Sequence, residues 1–297
     1  VIETIFIGLS LGSILLLVAL GLSITYGAMG VINMAHGELV MVGAYTAVMA
    51  GLYLGMNLFT ALPLAFVVTG LLGMAIEKVV VRRLYGRMLD TLLATWGLAI
   101  LLQQAVRLEL GLSFLDIHVP GLGPGLQNLD VPAILRGTVD LGGVVIQPYR
   151  TFIILLTLAL VGVTWWLMHR TSLGTCVRAV MRDPDMAAAC GINVKRVNSL
   201  TFAYGSGLAG VAGVMMAGFK TVSPEMGTSL VVDGFLVVVM GGVGSLFGTL
   251  ASSGLLGQIN GFVALASNDI LARAVVFGTV ILVILWRPMG LFSFKGR

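Results

Sequence analysis

From Thr4 to Ile76 the chain carries a single formal charge, Glu38, and from Met226 to Asn268 a single one again, Asp233. Runs free of charge also cover Thr91–Val106, Thr151–His169 and Val197–Phe219. A helix that crosses a bilayer needs about 20 mostly apolar residues, and the chain supplies seven or more such stretches. The runs are too long and too evenly apolar for the alternating segments of about 10 residues that build a membrane barrel. The expected fold is therefore all-α, a polytopic helical membrane protein with broken or re-entrant helices and about eight or more membrane segments. Composition agrees: 10% of the residues are charged, against roughly 25% in soluble domains. A soluble enzyme is excluded.

The expected spans are 5–26, 37–54, 60–80, 91–107, 149–168, 197–218, a glycine-interrupted region over 228–265, and 270–287, in one transmembrane domain over 1–297. The first run has no basic residue ahead of it, so it reads as a membrane segment rather than a secretory signal; the missing initiator Met suggests trimming. Lys and Arg set the orientation. Lys78, Arg82, Arg83, Arg87, Arg170, Arg178, Arg182, Lys195, Arg196, Arg287, Lys295 and Arg297 form one set; Arg107, Arg136, Arg150, Lys220 and Arg273 form the other. Twelve against five assigns the first set to the cytoplasm, 109–148 to the periplasm and 169–196 to the cytoplasm. The region 228–265 must then cross an even number of times or re-enter, with the turn at Gly241–Ser245.

A net charge of +4 follows from these loops, and no basic run interleaved with aromatics points to nucleic acid. Cys176 and Cys190 form neither a disulfide framework nor a zinc site. His36 and Glu38 supply two metal ligands at most, and no nucleophile–base pair is apparent, so neither metal, cofactor nor catalytic residue is expected.

The polar residues of the apolar halves are the candidates for a substrate pathway: Asn33, His36, Glu38, Thr95, Gln103 and Asp233. A carboxylate at the centre of a spanning helix costs about 2.5–3.5 kcal/mol on insertion scales. Glu38, with Asn33 and His36, reads either as a substrate contact or as caps for two half-helices. Asp233 reads either as a cap on 234–240 or as a pathway residue. Thr95 and Gln103 lie on a polar face with Trp96 and Gln104, open to interhelical hydrogen bonding or to the pathway. Gly205, Gly207, Gly210 and Gly213 are expected on one closely packed face. Residues 36–42 also align with 233–239 at four of seven positions, each copy holding the lone acid of its half, as paired broken segments around a transport site do.

Residues 170–197 read as two short helices, 174–182 and 185–190, the second started by Pro184 after Asp183 as cap and closed by Gly191. Ala187, Ala188 and Gly191 would make a small flat face for a partner groove. Arg178, Asp185 and Asn193 lie within the same candidate coupling surface; the alternative is an inert loop.

Together, Gly-Val-Ile-Asn-Met-Ala-His-Gly-Glu (30–38), Ala-Ala-Cys-Gly-Ile-Asn (188–193), Gly-Gly-Val-Gly-Ser (241–245) and Arg-Pro-Met-Gly-Leu-Phe (287–292) resemble the permeases of ATP-binding-cassette importers of the branched-chain amino acid family. Within it, residues 89–97, 232–235 and 294–297 look most like the urea branch, although Met289 and Gly234 stand where the family often has Gln and Ala. The resemblance implies a multi-pass protein of the bacterial inner membrane working with a homologous second permease, two cytoplasmic ATP-binding subunits and a periplasmic binding protein. It implies import of urea or short amides, or alternatively of branched-chain amino acids; an ATP-independent channel or carrier is the distant rival. The chain has no phosphate-binding loop of its own, so ATP would be bound by a partner.

Overall fold

The computed structural model describes residues 2–111, 118–140, 145–288 and 290–292. The urea-like ending 294–297 and Met289 lie outside the described residues. Eleven α-helices are described: α1 (Ile2–Met29), α2 (His36–Leu54), α3 (Leu58–Val79), α4 (Met88–Arg107), α5 (Pro148–Arg170), α6 (Ser172–Arg182), α7 (Pro184–Ala189), α8 (Val194–Ala217), α9 (Met226–Gly241), α10 (Leu246–Ala266) and α11 (Asp269–Trp286). Eight are long and apolar enough to cross a membrane, and α9 is a shorter apolar helix. The only described strands are a two-residue antiparallel pair, Val139–Asp140 with Val145–Ile146. The all-α expectation holds.

The bundle has two ends that sort the basic residues as the sequence does. At one end, Met29, Tyr85, Arg82 and the first turn of α8 meet, and Gly27 and Gly244 lie against Met181 of α6. At the other, Tyr53 hydrogen-bonds the Pro120 carbonyl at 3.1 Å, Arg150 reaches Ser10, and Gln127 bridges to Val222. There the segment after α4 is anchored by Glu109, which accepts from the Val119 N–H and from His118; those bonds hold its carboxyl below the ordinary carboxylate range.

α8 is the central post. Its glycines do not share one face as expected: Gly205 meets the Gly21 carbonyl on α1, Gly207 meets Phe66 on α3, Gly210 meets Thr69, and Gly213 meets the Val40 carbonyl on α2. A helix surrounded on all sides needs small residues around its whole circumference, so that several neighbours can approach backbone to backbone.

α1 to α4 and α8 to α11 follow the same order, a long helix, a broken one, then two long ones, and run in opposite directions. α1 packs against α10 through Gly8, Gly12 and Gly257, as α3 packs against α8 through Gly70 and Gly73. This is an inverted repeat of the kind that places a site between its halves. The sequence alignment found the repeat in the wrong register. Gly37 packs against Gly227, not Gly234, a slip of seven residues that keeps a helix face nearly in phase and so escapes notice in a Val-rich run.

The region 228–265 resolves as expected into α9, a turn and α10. Gly242 and Gly244 take φ of 95° and 76°, and Ser245 caps α10 by accepting from the Gly248 N–H at 3.0 Å. The 287–292 motif serves this turn: the Leu291 and Phe292 N–H groups donate to the Met240 and Gly241 carbonyls, filling acceptors that the end of α9 leaves open.

Candidate functional site

α1 ends at Met29, yet the first residue of α2, His36, lies beside Val18, with its Nε2 3.1 Å from the Val18 carbonyl. Eleven residues of helix separate those levels, about 16 Å at 1.5 Å per residue. Residues 30–35 therefore climb back into the bundle as non-helical backbone, which is tolerated at such depth only when buried groups satisfy it. Thr95 of α4 does so. Its hydroxyl accepts from the Met34 N–H at 3.1 Å and lies 3.4 Å from the Ile32 carbonyl. The Asn33 Oδ1 accepts from the Ala35 N–H at 3.1 Å. Thr95 is thus taken up by the backbone of residues 32–34.

α9 starts against the same point. Gly37 and Gly227 approach so closely that a Cβ on either would collide with the other's carbonyl. α2 runs from there towards the Tyr53 end and α9 towards the Met181 end, so two helix N-termini, each carrying partial positive charge, converge. Neither Ala35 nor Glu225, the residues that precede them, makes a side-chain cap. Glu38, 3% exposed, occupies the junction. Its Oε1 accepts from the Thr228 hydroxyl at 3.1 Å, and its Oε2 faces Gly227. Among the described residues, Glu38 Oε2, His36 Nδ1 and Asn33 Nδ2 are buried without a hydrogen-bond partner. The arrangement can hold negative charge between two helix starts, with one carboxylate oxygen left open.

Asp233 does not join this cluster. It is not a cap either, because α9 begins at Met226, seven residues earlier. It lines a cavity of about 780 Å³ between α1, α9, α10 and α11, together with Lys220, Asn260, Asp269 and Arg273 against the apolar Leu11 and Leu230. Lys220 and Arg273 entered the sequence reading only as loop charges. Gln103 is half-buried farther along α4, and Trp96 is 56% exposed, so the polar face drawn for α4 is split between inside and outside. Thr228, the partner of Glu38, carried no signal, being one hydroxyl in an apolar run.

The helix pair at the Met181 end has the expected caps: Asp183 Oδ1 accepts from the Asp185 and Met186 N–H groups, and Gly191 takes φ 84°. The flat face does not hold. Ala187 turns inward and is 5% exposed, leaving Ala188 and Gly191 outside with Met186. A six-residue helix has too little periodicity to fix its buried side from sequence. Asn193 caps α8 by accepting from the Arg196 N–H at 3.1 Å, and Arg178 donates to the Met168 carbonyl near the end of α5. Asp185 is exposed. Cys176 is half-buried and Cys190 exposed, both as free thiols.

An inverted repeat of broken helices around a buried carboxylate is the architecture of a transport protein, and sequence comparison decides which. The profile of the branched-chain amino acid transport system permease component matches residues 4–285. The chain belongs to that family. It is 34% identical to the high-affinity branched-chain amino acid transport system permease protein BraD of Pseudomonas aeruginosa, over 96% of this chain and 94% of that one. It is 30% identical to the corresponding LivH of Escherichia coli, over 98% and 95%. A probable LivH permease of Methanocaldococcus jannaschii is 25% identical over 82% of this chain and 75% of that one. No solved structure matches. This branched-chain amino acid-type permease is a transport subunit and not an enzyme. A helical bundle of this kind, unlike the barrels of outer membranes, belongs to the inner membrane, which it crosses many times.

Proposed function

We propose that this permease is the membrane subunit of an ATP-driven importer for an aliphatic α-amino acid. It would pair with a second, homologous permease, two ATP-binding subunits at the Met181 end and a periplasmic binding protein at the Tyr53 end. The twelve-to-five basic bias supports this orientation, with 169–196 inside and 109–148 outside. The observation that carries the substrate class is the Asp233 cavity. An α-amino acid presents an ammonium group, a carboxylate and an apolar side chain. Asp233 and Asp269 suit the first, Lys220 and Arg273 the second, and Leu11, Leu230 and Ile270 the third. Urea has neither charge nor apolar bulk and would use few of these groups. The urea reading rests on the likeness of 89–97, 232–235 and 294–297 alone, and in the first of these Thr95 is already engaged by the backbone of 32–34.

Uptake of labelled leucine and labelled urea by the reconstituted complex, with and without ATP, tests the proposal. ATP-dependent leucine uptake is expected, with Asp233→Asn raising the leucine KM by about fivefold or more, the loss of about 1 kcal/mol of binding. ATP-dependent uptake of urea without leucine would replace the amino acid reading with the urea one, and uptake of either without ATP would make the chain a carrier. The docking of α6 and α7 on the ATP-binding subunit has its own test. Ala188→Glu, on the outer face, should leave the permease folded but abolish stimulation of ATPase activity, whereas Ala187→Glu, facing inward, should impair folding. Normal coupling in Ala188→Glu would remove α7 from the interface.

A further inference from the structure

Glu77, in the last turn of α3, is fully buried and plays no part in the pathway described above. Its carboxylate is saturated. Arg82 donates from Nε to Oε1 at 3.1 Å and from Nη2 to Oε2 at 3.0 Å. The Tyr85 hydroxyl donates to Oε1 at 2.6 Å, and the Ser199 hydroxyl donates to Oε2. Arg82 Nη2 also lies 2.6 Å from Ser199 Oγ and 3.4 Å from the Lys195 carbonyl. Such a charge-assisted, multiply bonded carboxylate fixes its partners in one geometry.

The partners come from three places. Lys195 and Ser199 form the first turns of α8, directly after the α6–α7 pair. Arg82 and Tyr85 form the elbow between α3 and α4, and the Tyr85 hydroxyl lies 3.6 Å from Met29 Sδ at the end of α1. The elbow is fastened to α4 by the Thr91 hydroxyl, which is 3.0 Å from the Leu84 carbonyl. One turn on, Thr95 holds Ile32 and Met34. A continuous path of hydrogen-bonded groups thus joins the start of α8, which follows the α6–α7 pair in the chain, to the non-helical segment that leads into α2 and Glu38.

We infer that Glu77, with Arg82, Tyr85 and Ser199, is a positioning clamp that makes the start of α8, the α3–α4 elbow and the 30–35 segment move as one body, carrying displacement of α6–α7 to the Glu38 junction. The transport consequence rests on the importer reading above; the mechanical one does not. An inert brace would lower the amount of folded protein and, with it, all activities together. A clamp changes the relation between ATP hydrolysis and transport, and it changes the setting of residues 30–35 in the permease by itself.

Two measurements on Glu77→Gln, which keeps the shape but loses the charge, test this. The first is uptake per ATP hydrolysed by the complex. The second is the rate of maleimide labelling of Met34→Cys in the purified full-length permease lacking Cys176 and Cys190. Uptake per ATP is expected to fall about tenfold with assembly retained, and labelling to accelerate about fivefold or more as the segment loosens. Labelling within about twofold of the parent, or an unchanged ratio of uptake to hydrolysis in a coupled complex, would overturn the clamp. If Glu77→Gln does not assemble, Tyr85→Phe and Ser199→Ala, each lacking one hydroxyl, decide by the same two readouts. If the unaltered complex shows no ATP-driven uptake, the importer reading fails, and the labelling rate alone decides the clamp.

Discussion

Glu77 and Glu38 are both carboxylates withdrawn from water inside an apolar bundle, but Glu77 receives a guanidinium and two hydroxyls while Glu38 receives one hydroxyl and two helix N-termini. The Glu77 site fills both oxygens with fixed donors and ties the chain together where α3, α4 and α8 meet. The Glu38 site leaves Oε2 unfilled. Leaving buried polar atoms unpaired costs about 1–3 kcal/mol each, so an incomplete set persists in a native protein where something else completes it or where motion depends on it. The Glu77 carboxylate is saturated and the Glu38 carboxylate is not, a difference that substitutions at the two sites can test.

The largest effect should come from emptying the saturated site. Glu77→Ala leaves Arg82, Tyr85 and Ser199 facing a void, and breaking a buried ion pair from one side costs about 3–5 kcal/mol. Because the Arg82 side chain is 29% exposed, part of its charge recovers water, which places the expected loss near the lower end of that range, about 3 kcal/mol. Thermal unfolding of the purified permease in detergent reads it directly. A melting temperature unchanged from the parent would show that the network ties nothing together.

Glu38→Gln should behave in the opposite manner. The substitution keeps the shape and an acceptor for Thr228, so folding and assembly should survive. It removes the negative charge that the two helix starts face, an interaction of about 0.3–1 kcal/mol per helix end and up to about 2 kcal/mol in buried geometry. Transport should fall about tenfold, equivalent to about 1.4 kcal/mol, with basal ATPase activity intact. Transport at the parental rate would make Glu38 a cap and nothing more, and the contrast with Glu77 would vanish.

The two sites were not equally legible in the sequence. Glu38 stands out because it is the one formal charge between Thr4 and Ile76, and a lone charge in such a run demands a reason. Glu77 sits beside Lys78, Arg82 and Arg83, where a charged residue looks like any other in a solvated loop. Its burial depends on Ser199, more than a hundred positions away, which no local pattern reports. The helix count, the Gly242–Gly244 turn and the Asp183 cap were legible because each is fixed by hydropathy or by backbone geometry within a few residues. The inward turn of Ala187, the pairing of Gly37 with Gly227 and the cavity that brings Asp233 to Arg273 were not, because each is decided by which helices become neighbours.

The smallest expected effect tests the comparison at a single hydroxyl. Thr228→Val is close to isosteric and removes the one side-chain donor that Glu38 has among the described residues. A hydrogen bond to a charged group contributes about 1.5–3 kcal/mol when its partner is left with no alternative. Here the N–H groups at the starts of α2 and α9 converge on the junction and can take up part of the loss after a small shift, so about 1 kcal/mol should remain. That is about a fivefold fall in transport with little change in melting temperature. The matching change at the other carboxylate, Ser199→Ala, leaves Glu77 with both Arg82 bonds and Tyr85, so it should alter melting temperature even less. If Thr228→Val lowered stability as much as Glu77→Ala, the Glu38 junction would be a brace held by its hydroxyl, and the division between a saturated support and an unsaturated working site would be wrong. A fall in transport without a fall in stability keeps the division and places Thr228 with Glu38 on the working side.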